Sequence, residues 1–300
     1  KVTLDDWLNA TMSIKGRGKG QDVALEVTGG SVDLRRMPDA RRRKVTARAS
    51  TPMQISLDRL QISAGIALTG FRGTISQTGG TNGDFSASVN GRGAVRGTIA
   101  PSPNGTGVRL HSNDAGTVLA AAGLFTSARG GALDLTLVPQ AGKGIYDGKA
   151  RITTVRVRNA NVLAELLNAI SVVGILEQLN GDGLVFNEAE ADFLLTPKAI
   201  QIIHGSAIGA SLGVSMAGVY QSAADELTMQ GVISPIYLLN GIGAIFTRRG
   251  EGLFGFNYSL RGKASDPQVS VNPLSILTPG MFREIFRAPA PVLKKQGNGG

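Results

Sequence analysis

Residues 85–99 read FSASVNGRGAVRGTI, and this stretch decides the fold class. Apolar and polar side chains alternate through 85–89 and again through 95–99. An alternation with a period of two is typical of a β-strand with one apolar face and one wet face. Because the glycine-rich turn 90–93 joins the two runs, the stretch predicts an antiparallel hairpin.

The same pattern continues outward from this hairpin. Strand-like runs separated by Gly-, Asn- and Pro-rich turns fill residues 21–110, and the alternation of 62–69 predicts one of these strands. About fifteen candidate strands can be counted, which at ~4.8 Å spacing would make a sheet roughly 70 Å wide. Open sheets of that size tend to curl. The sequence therefore predicts a mainly β fold, a long curled antiparallel sheet that forms a hydrophobic groove, with a few short amphipathic helices in the C-terminal half.

A unit of an apolar helix, a Gly-rich break and an alternating strand recurs in the second half. Its three copies combine helix Asn113–Phe125 with strand Gly131–Val138, helix Asn159–Leu179 with strand Leu184–Leu195, and helix Leu239–Phe246 with strand Leu253–Leu260. Polar residues at 112–114, and Asn159 with Asn161, are suited to cap the first two helices. A last short helix is expected at 280–287.

No composition change marks a firm domain boundary, so we expect residues 1–287 to form one continuous body, followed by a flexible tail at 288–300. Residues 1–158 carry 22 Lys and Arg against 11 Asp and Glu, whereas residues 159–300 carry 9 against 11. A basic half favours anionic partners, with a solvated outer sheet face as the alternative. No apolar run approaches the roughly 18–20 residues of a spanning helix, and we expect any anchor to lie outside this sequence.

The sequence offers no convincing catalytic or metal site. The chain has no cysteine, which excludes disulfides, thiolate metal sites and cysteine nucleophiles. Gly209–Gly213 matches the G-x-S-x-G nucleophile pattern around Ser211, but the residues that follow alternate like a strand instead of forming the required helix. Glu188, Glu190 and Asp192 alternate, as a solvent-facing row does. We therefore expect a non-enzymatic protein without cofactor or metal.

The apolar sides of successive strands supply the candidate binding residues. They line a groove for acyl chains or, alternatively, pack into a closed core; they are Ile66, Leu68, Ile75, Phe85, Val89, Leu133, Leu135, Leu137, Phe193, Leu195, Leu212, Val214, Met216, Leu227, Met229, Phe254 and Phe256.

Two further groups are candidates for contact with a membrane or a partner. The first is the apolar helical stripe of Val162, Leu163, Leu166, Leu167 and Ile170, which otherwise packs on a sheet or closes the end of the groove. The second is the basic cluster that contains Arg41, Arg42 and Arg43, which is either a solvated loop or a contact for anionic lipid or a partner protein. Nucleic acid is not expected, since neither stacking aromatics nor a recognition helix lies nearby.

Several segments, in order, resemble the C-terminal region of the AsmA-like superfamily. The stretch 113–124 is similar to its NADAGALLRALGL helix, 157–167 to its NAPVLARLL segment, and 181–186 to its SGDGIAFD turn. Residues 250–254 and 266–275 resemble its closing segments. The similarity covers about residues 108–287.

The resemblance implies a large envelope protein of the YhdP and TamB type. Such proteins are bridge-like lipid transfer proteins of Gram-negative bacteria, anchored in the inner membrane and extended through the periplasm. It implies non-enzymatic movement of phospholipid between inner and outer membrane through an apolar β-groove. Phospholipid acyl chains, an anionic membrane surface and an outer-membrane partner protein are then the expected partners. The alternative is an envelope assembly or scaffold protein with a closed β core that binds other proteins.

Overall fold

The computed structural model of the chain describes residues 2–4, 6–15, 24–37, 52–235, 255–272 and 274–275. The chain divides into two units, which we call unit 1 (Lys1–Ala141) and unit 2 (Gly142–Gly300). Several predicted features lie outside the described residues, namely helices 239–246 and 280–287, tail 288–300, Phe254, Arg41, Arg42 and Arg43.

Unit 1 consists of short strands joined by tight turns, with one helix near its C-terminal side. Its described elements are β1 (Val2–Leu4), β2 (Leu8–Lys15), β3 (Ala24–Asp33), β4 (Met53–Gln61), β5 (Ala67–Ser76), β6 (Asn82–Val89), β7 (Gly93–Ser102), β8 (Gly105–Ser112), α1 (Ala115–Ala121), β9 (Ala128–Arg129) and β10 (Ala132–Pro139).

Sequence neighbours in unit 1 pair with one another in the sheet. The predicted hairpin is present, with Ala87 opposite Val95 across β6 and β7. Antiparallel pairing continues through β8 to β10. One pair departs from the predicted antiparallel meander, because β3 and β4 run parallel, with Val27 opposite Ile55. A parallel pair needs a crossover connection, and residues 38–51 of that connection are not described.

The prediction of a strand over residues 62–69 is wrong for its first half. Residues 62–66 form the turn between β4 and β5, in which the carbonyl oxygen of Ile66 accepts hydrogen bonds from the backbone N–H groups of Ile62 at 2.9 Å and Ser63 at 3.1 Å. The apolar side chains at 62, 64 and 66 alternate with other residues, which is the pattern that predicted a strand. The residues between them, at 63 and 65, are small enough to form a tight turn, and the chain turns here.

Helix α1 begins as the sequence predicts. The carboxylate of Asp114 accepts a hydrogen bond from the backbone N–H of Thr117 at 3.0 Å and another from the Thr117 hydroxyl at 2.6 Å. The side-chain bond from Thr117, together with its backbone bond, holds the pKa of Asp114 below its usual range. Asp114 is therefore an ionised N-cap at neutral pH.

Unit 2 repeats the scheme with longer strands and two helices. Its described elements are β11 (Tyr146–Val157), α2 (Asn161–Ala169), α3 (Val173–Asn180), β12 (Leu184–Leu195), β13 (Ala199–Gly209), β14 (Leu212–Gln221), β15 (Glu226–Pro235), β16 (Phe256–Lys263) and β17 (Gln268–Asn272). From β11 to β17, each strand pairs antiparallel with the next.

The single helix predicted over Asn159–Leu179 is in fact two. The break falls at Ser171, whose backbone is left-handed with φ 57°. Leu166 and Ile175 are both buried, with 3% and 4% of their surface exposed. On one continuous helix, nine residues at 3.6 per turn would place them on opposite sides. The break allows both side chains to reach the same core, which offsets the cost of roughly 1–2 kcal/mol for a left-handed residue that is not glycine.

The predicted capping of α2 is also wrong. Its N-cap is Ala160, which makes no side-chain hydrogen bond. Asn159 instead adopts a left-handed conformation with φ 51°, and its backbone N–H donates to the carbonyl oxygen of Leu179 at 3.3 Å. This residue therefore ties the start of α2 to the end of α3.

The predicted fold class is confirmed in both units as a mainly β protein with mostly antiparallel sheet and few short helices. In the described part of the chain, none of the helices has the length and the apolar character needed to cross a membrane. The prediction that residues 1–287 form one continuous body stays a prediction.

Candidate functional site

The apolar face of unit 1 is assembled from residues that lie directly opposite one another in neighbouring strands. Cross-strand partners in an antiparallel pair share a face. We call a row of such partners, running across the strands of the sheet, a rank. The rank farthest from α1 is half-buried and consists of Met53, Ile75, Gly83, Ile99, Val108 and Leu137. The next rank contains Ile55, Gly73, Phe85, Gly97, Leu110 and Leu135. None of the residues in these two ranks carries a charge.

Burial along this face increases toward α1. Leu133 and Val95, at that end, are only 4% and 3% exposed. The helix lies directly against the sheet there, since a Cβ added to Gly93 would be 2.8 Å from the Cα of Val118. We call this the helix end of unit 1 and the opposite end, at Ile99 and its rank, the far end. The helix therefore covers one end of the face and leaves the far rank half-buried.

The apolar face of unit 2 is built in the same way and is four ranks deep. From the far end inward, its ranks are Tyr146, Leu195, Ile200, Tyr220 and Leu227; Gly148, Phe193, Ile202, Gly218, Met229 and Leu260; Ala150, Ala191, Gly205, Met216, Gly231 and Tyr258; and Ile152, Ala189, Ala207, Val214, Ile233 and Phe256. These ranks, like those of unit 1, contain no charged side chain.

Burial in unit 2 also increases toward its helices. Leu184 and Leu212, the first residues of β12 and β14, and Ile233, near the end of β15, are 2%, 1% and 0% exposed. The pair α2–α3 sits at this helix end, where Gln178 accepts a hydrogen bond from the Ser211 hydroxyl at 3.2 Å. The far rank, by contrast, is half-buried throughout. In the described part of each unit the strands belong to a hydrogen-bonded sheet, and neighbouring strands make up its face.

Two phenylalanines lie flat over glycines of the neighbouring strand. A Cβ on Gly97 would be 2.6 Å from Cε1 of Phe85, and one on Gly148 would be 2.7 Å from Cε1 of Phe193. The Phe85 ring also stacks on Phe71, with ring centroids 5.0 Å apart. Because the glycines have no side chain, the rings occupy that space and do not stand up from the sheet. Both apolar faces are therefore smoother than their composition suggests.

Gly97→Ala should destabilise unit 1 by about 1–3 kcal/mol, since the new methyl group overlaps the Phe85 ring. It would also come 2.9 Å from the carbonyl oxygen of Arg109, which is backbone and cannot turn away. Urea unfolding measures the loss. Gly107→Ala, in the adjacent strand, is the matched control because its nearest neighbour would be at 3.5 Å. Equal stability of the two variants would contradict the packing of Phe85 on Gly97.

The opposite face of unit 2 is wet and charged, as the sequence predicts for Glu188, Glu190 and Asp192. Lys149 lies 3.5 Å from the carboxylate of Asp192, and Arg151 pairs with Glu188 and, at 3.6 Å, with Glu190. Exposed pairs of this kind contribute about 0–1 kcal/mol each. These ion pairs therefore indicate which face of the sheet is in contact with water, but they contribute little to the stability of the fold.

A tyrosine hydroxyl marks the far end of unit 2. Tyr220 Oη donates to the Asp225 carboxylate at 3.1 Å. Burial, followed by this hydrogen bond, raises the pKa of Tyr220. The apolar ring of Tyr220 thus belongs to the far rank, while its polar end points to the turn before β15.

The structure brings most of the predicted binding residues together, one set in each unit. The register places Leu68, Ile75, Phe85, Val89, Leu133, Leu135 and Leu137 on the apolar face of unit 1, and Phe193, Leu195, Leu212, Val214, Met216, Leu227, Met229 and Phe256 on that of unit 2. Half-buried members are Ile75, Leu135, Leu137, Phe193, Leu195, Val214, Met216, Leu227 and Met229.

Some predicted positions need correction. Ile66 lies in the β4–β5 turn and not on a strand. Six of the predicted lining residues are core residues at or near the helix ends or on β16, at most 9% exposed, so no ligand can lie on them: Leu68, Phe85, Val89, Leu133, Leu212 and Phe256.

The helical stripe also needs correction. Leu166 and Leu167 are 3% and 0% exposed, so they form the core of unit 2 and cannot contact a membrane or a partner. Val162, Leu163 and Ile170 are half-buried. The physical reason is the break at Ser171, which folds α2 and α3 onto a common interior.

Sequence reasoning missed several members of the two faces, among them Met53, Ile55, Ile99, Val108, Leu110, Tyr146, Ile152, Ile200, Ile202, Tyr220, Ile233, Tyr258 and Leu260. The signal that would have found them is the strand register, which links each residue to a known face residue opposite it.

Ser211 occupies the turn between β13 and β14, so a strand follows it, as predicted. Within the described ranges, no group of three or more His, Asp or Glu side chains is placed to hold a metal ion.

No family model matches the chain, and no curated protein or solved structure matches it either.

Proposed function

We propose that the two apolar faces bind the acyl chains of phospholipid and that the protein conducts lipid between membranes without catalysing a reaction. The observation that carries this proposal is the pair of uncharged, half-buried far ranks, one in each unit. A hydrogen-bonded sheet carries each face, and the helices that the structure describes pack at one end of it.

The energetics favour an apolar chain as the occupant. Exposing a palmitoyl-length chain to water costs on the order of 12 kcal/mol, at ~0.8 kcal/mol per CH₂. A face without charged side chains, on which the hydroxyls of Tyr220 and Tyr258 already have hydrogen-bond partners within the protein, removes much of that cost and adds little desolvation penalty of its own. The half-buried Phe193 ring, which lies flat over Gly148, leaves a smooth surface on which a flexible chain can slide.

The family resemblance extends the proposal to a cellular setting. It suggests a periplasmic segment of a protein anchored in the inner membrane, which passes phospholipid toward the outer membrane. The similar segments at 113–124 and 157–167 cover α1 and the start of α2, the helices that sit at the helix ends. The direction of flow would have to come from an external source of energy.

Site-specific photocrosslinking tests the proposal. A photoreactive amino acid at Met229, on the apolar face, should give a covalent phospholipid adduct in mass spectra of the protein purified from cells. The same amino acid at Thr228 is the matched control, because the adjacent residue points to the wet face and is exposed. Adducts at both positions, or at neither, would sink the proposal. A crosslink from position 229 to another protein, and not to lipid, would support the alternative of a scaffold protein with a closed β core.

A further inference from the structure

An exposed apolar cluster lies at the helix end of unit 1, outside the apolar face. Leu124 and Phe125 follow α1 and are 47% and 40% exposed, and Ile62 in the β4–β5 turn is 39% exposed. Large apolar side chains that are exposed together mark interaction sites more often than they are accidental. We call Ile62, Leu124, Phe125, Arg92 and Arg129 the tip cluster.

Asn90 joins the segments that carry these residues. Its side-chain amide nitrogen donates to the carbonyl oxygens of Gly65 at 2.8 Å and Ala121 at 2.7 Å, and its amide oxygen accepts from the backbone N–H of Ala67 at 2.9 Å. The β4–β5 turn, the β6–β7 turn and the end of α1 are therefore held together by one side chain. The backbone segments that carry the exposed apolar residues are therefore held in fixed positions relative to one another.

Positive charge predominates around the tip cluster. Segments 59–66, 90–93 and 114–131 contain three arginines and one carboxylate, that of Asp114. All three arginines are exposed. Arg129 donates to the backbone carbonyl oxygens of Thr126 and Ala128, which fixes its guanidinium in the segment that follows Phe125. The carboxylate of Asp114, at the start of α1, is close enough to feel this charge, so it offsets one of the three arginines.

We propose that the tip cluster is a contact site for the surface of an anionic lipid membrane. Leu124 and Phe125 would enter the boundary between headgroups and acyl chains, while Arg92 and Arg129 lie against lipid phosphates. This arrangement matches how peripheral proteins combine a small apolar insertion with basic charge. The site is distinct from the apolar faces and does not depend on acyl-chain transport.

Fluorescence of a single label tests this directly, because the chain contains no cysteine. The full chain carrying Leu124→Cys, labelled with the environment-sensitive dye NBD, is mixed with phosphatidylcholine–phosphatidylglycerol vesicles or with phosphatidylcholine vesicles. We expect a blue shift, higher intensity and quenching by nitroxide-labelled lipid with the anionic vesicles. Val138→Cys is the matched control, since Val138 is 41% exposed on β10 of the same unit. Its label should not respond.

Charge variants provide the second measurement. Arg92→Gln should weaken vesicle binding about fivefold, as expected for one arginine near an anionic surface. Arg72→Gln, an exposed arginine in the middle of β5, should leave binding unchanged. If the label at position 124 does not respond to anionic vesicles, the proposal is overturned. That is the result we expect if the tip cluster docks a protein and not a membrane. An equal response at 138, or equal binding to neutral vesicles, overturns it too. The crosslink at Met229 in unit 2 reports separately on acyl-chain binding.

Discussion

Leu135→Asp is expected to abolish phospholipid binding on the apolar face of unit 1 while the chain remains folded. Leu135 is half-buried, directly opposite Leu110, so a carboxylate there keeps contact with water in the free protein. A bound acyl chain would remove that water and bury an unpaired charge, which is costly. A penalty of about 3 kcal/mol lowers affinity on the order of a hundredfold.

The measurement is the yield of phospholipid adduct from a photoreactive residue at Leu137, which belongs to the same face. Thr136→Asp is the matched control, because Thr136 is also half-buried but lies opposite Arg109 on the wet face. Full adduct yield in Leu135→Asp would contradict the acyl-chain site. Unfolding of Leu135→Asp, with Thr136→Asp still folded, would indicate that this face is a closed core.

Leu179→Ala is expected to lower the free energy of unfolding of unit 2 by about 2–5 kcal/mol, the range for a large buried apolar side chain. Leu179 is 0% exposed at the end of α3, beside the backbone bond that joins α3 to Asn159. Its removal leaves a cavity between the helix pair and the sheet. Chemical denaturation followed by circular dichroism gives the value.

Val173→Ala serves as the matched control in the same helix. Val173 is 63% exposed, and a surface substitution of this kind should change the unfolding free energy by no more than about 0.5 kcal/mol. If Leu179→Ala costs no more than this control, the helix pair is not a core element. The helix end of unit 2 would then be able to open.

The two units have a common plan that bears on both proposals. In each, strands run between a helix end, where residues such as Val95 and Leu212 are buried, and a far end, where ranks such as those of Ile99 and Leu227 are half-buried. The plan follows the repeated helix–break–strand unit of the sequence. The membership in the AsmA-like superfamily that the similar segments imply stays a prediction.

Local periodicity was sufficient to predict most strands and which side of each is apolar. The strand Leu184–Leu195 was predicted with the bounds that the structure has. Alternation fails where a turn has apolar residues, as at Ile66, because a turn of small residues and a strand can share the same pattern. It also fails within the Asn159–Leu179 stretch, because the residue that breaks the helix, Ser171, is neither a glycine nor a proline and so carries no sequence signal for a break.

The fold class, the wet side at Glu188 and its neighbours, and the cap at Asp114 could all be predicted from local sequence, because each depends on residues a few positions apart. Which apolar residues are core and which remain partly open became clear only from the folded chain. That distinction depends on where the helices settle on the sheet and on which residues of distant strands lie opposite one another. Leu133 and Leu135 are two positions apart on one strand, yet α1 and the strand ends bury the first and leave the second half-buried.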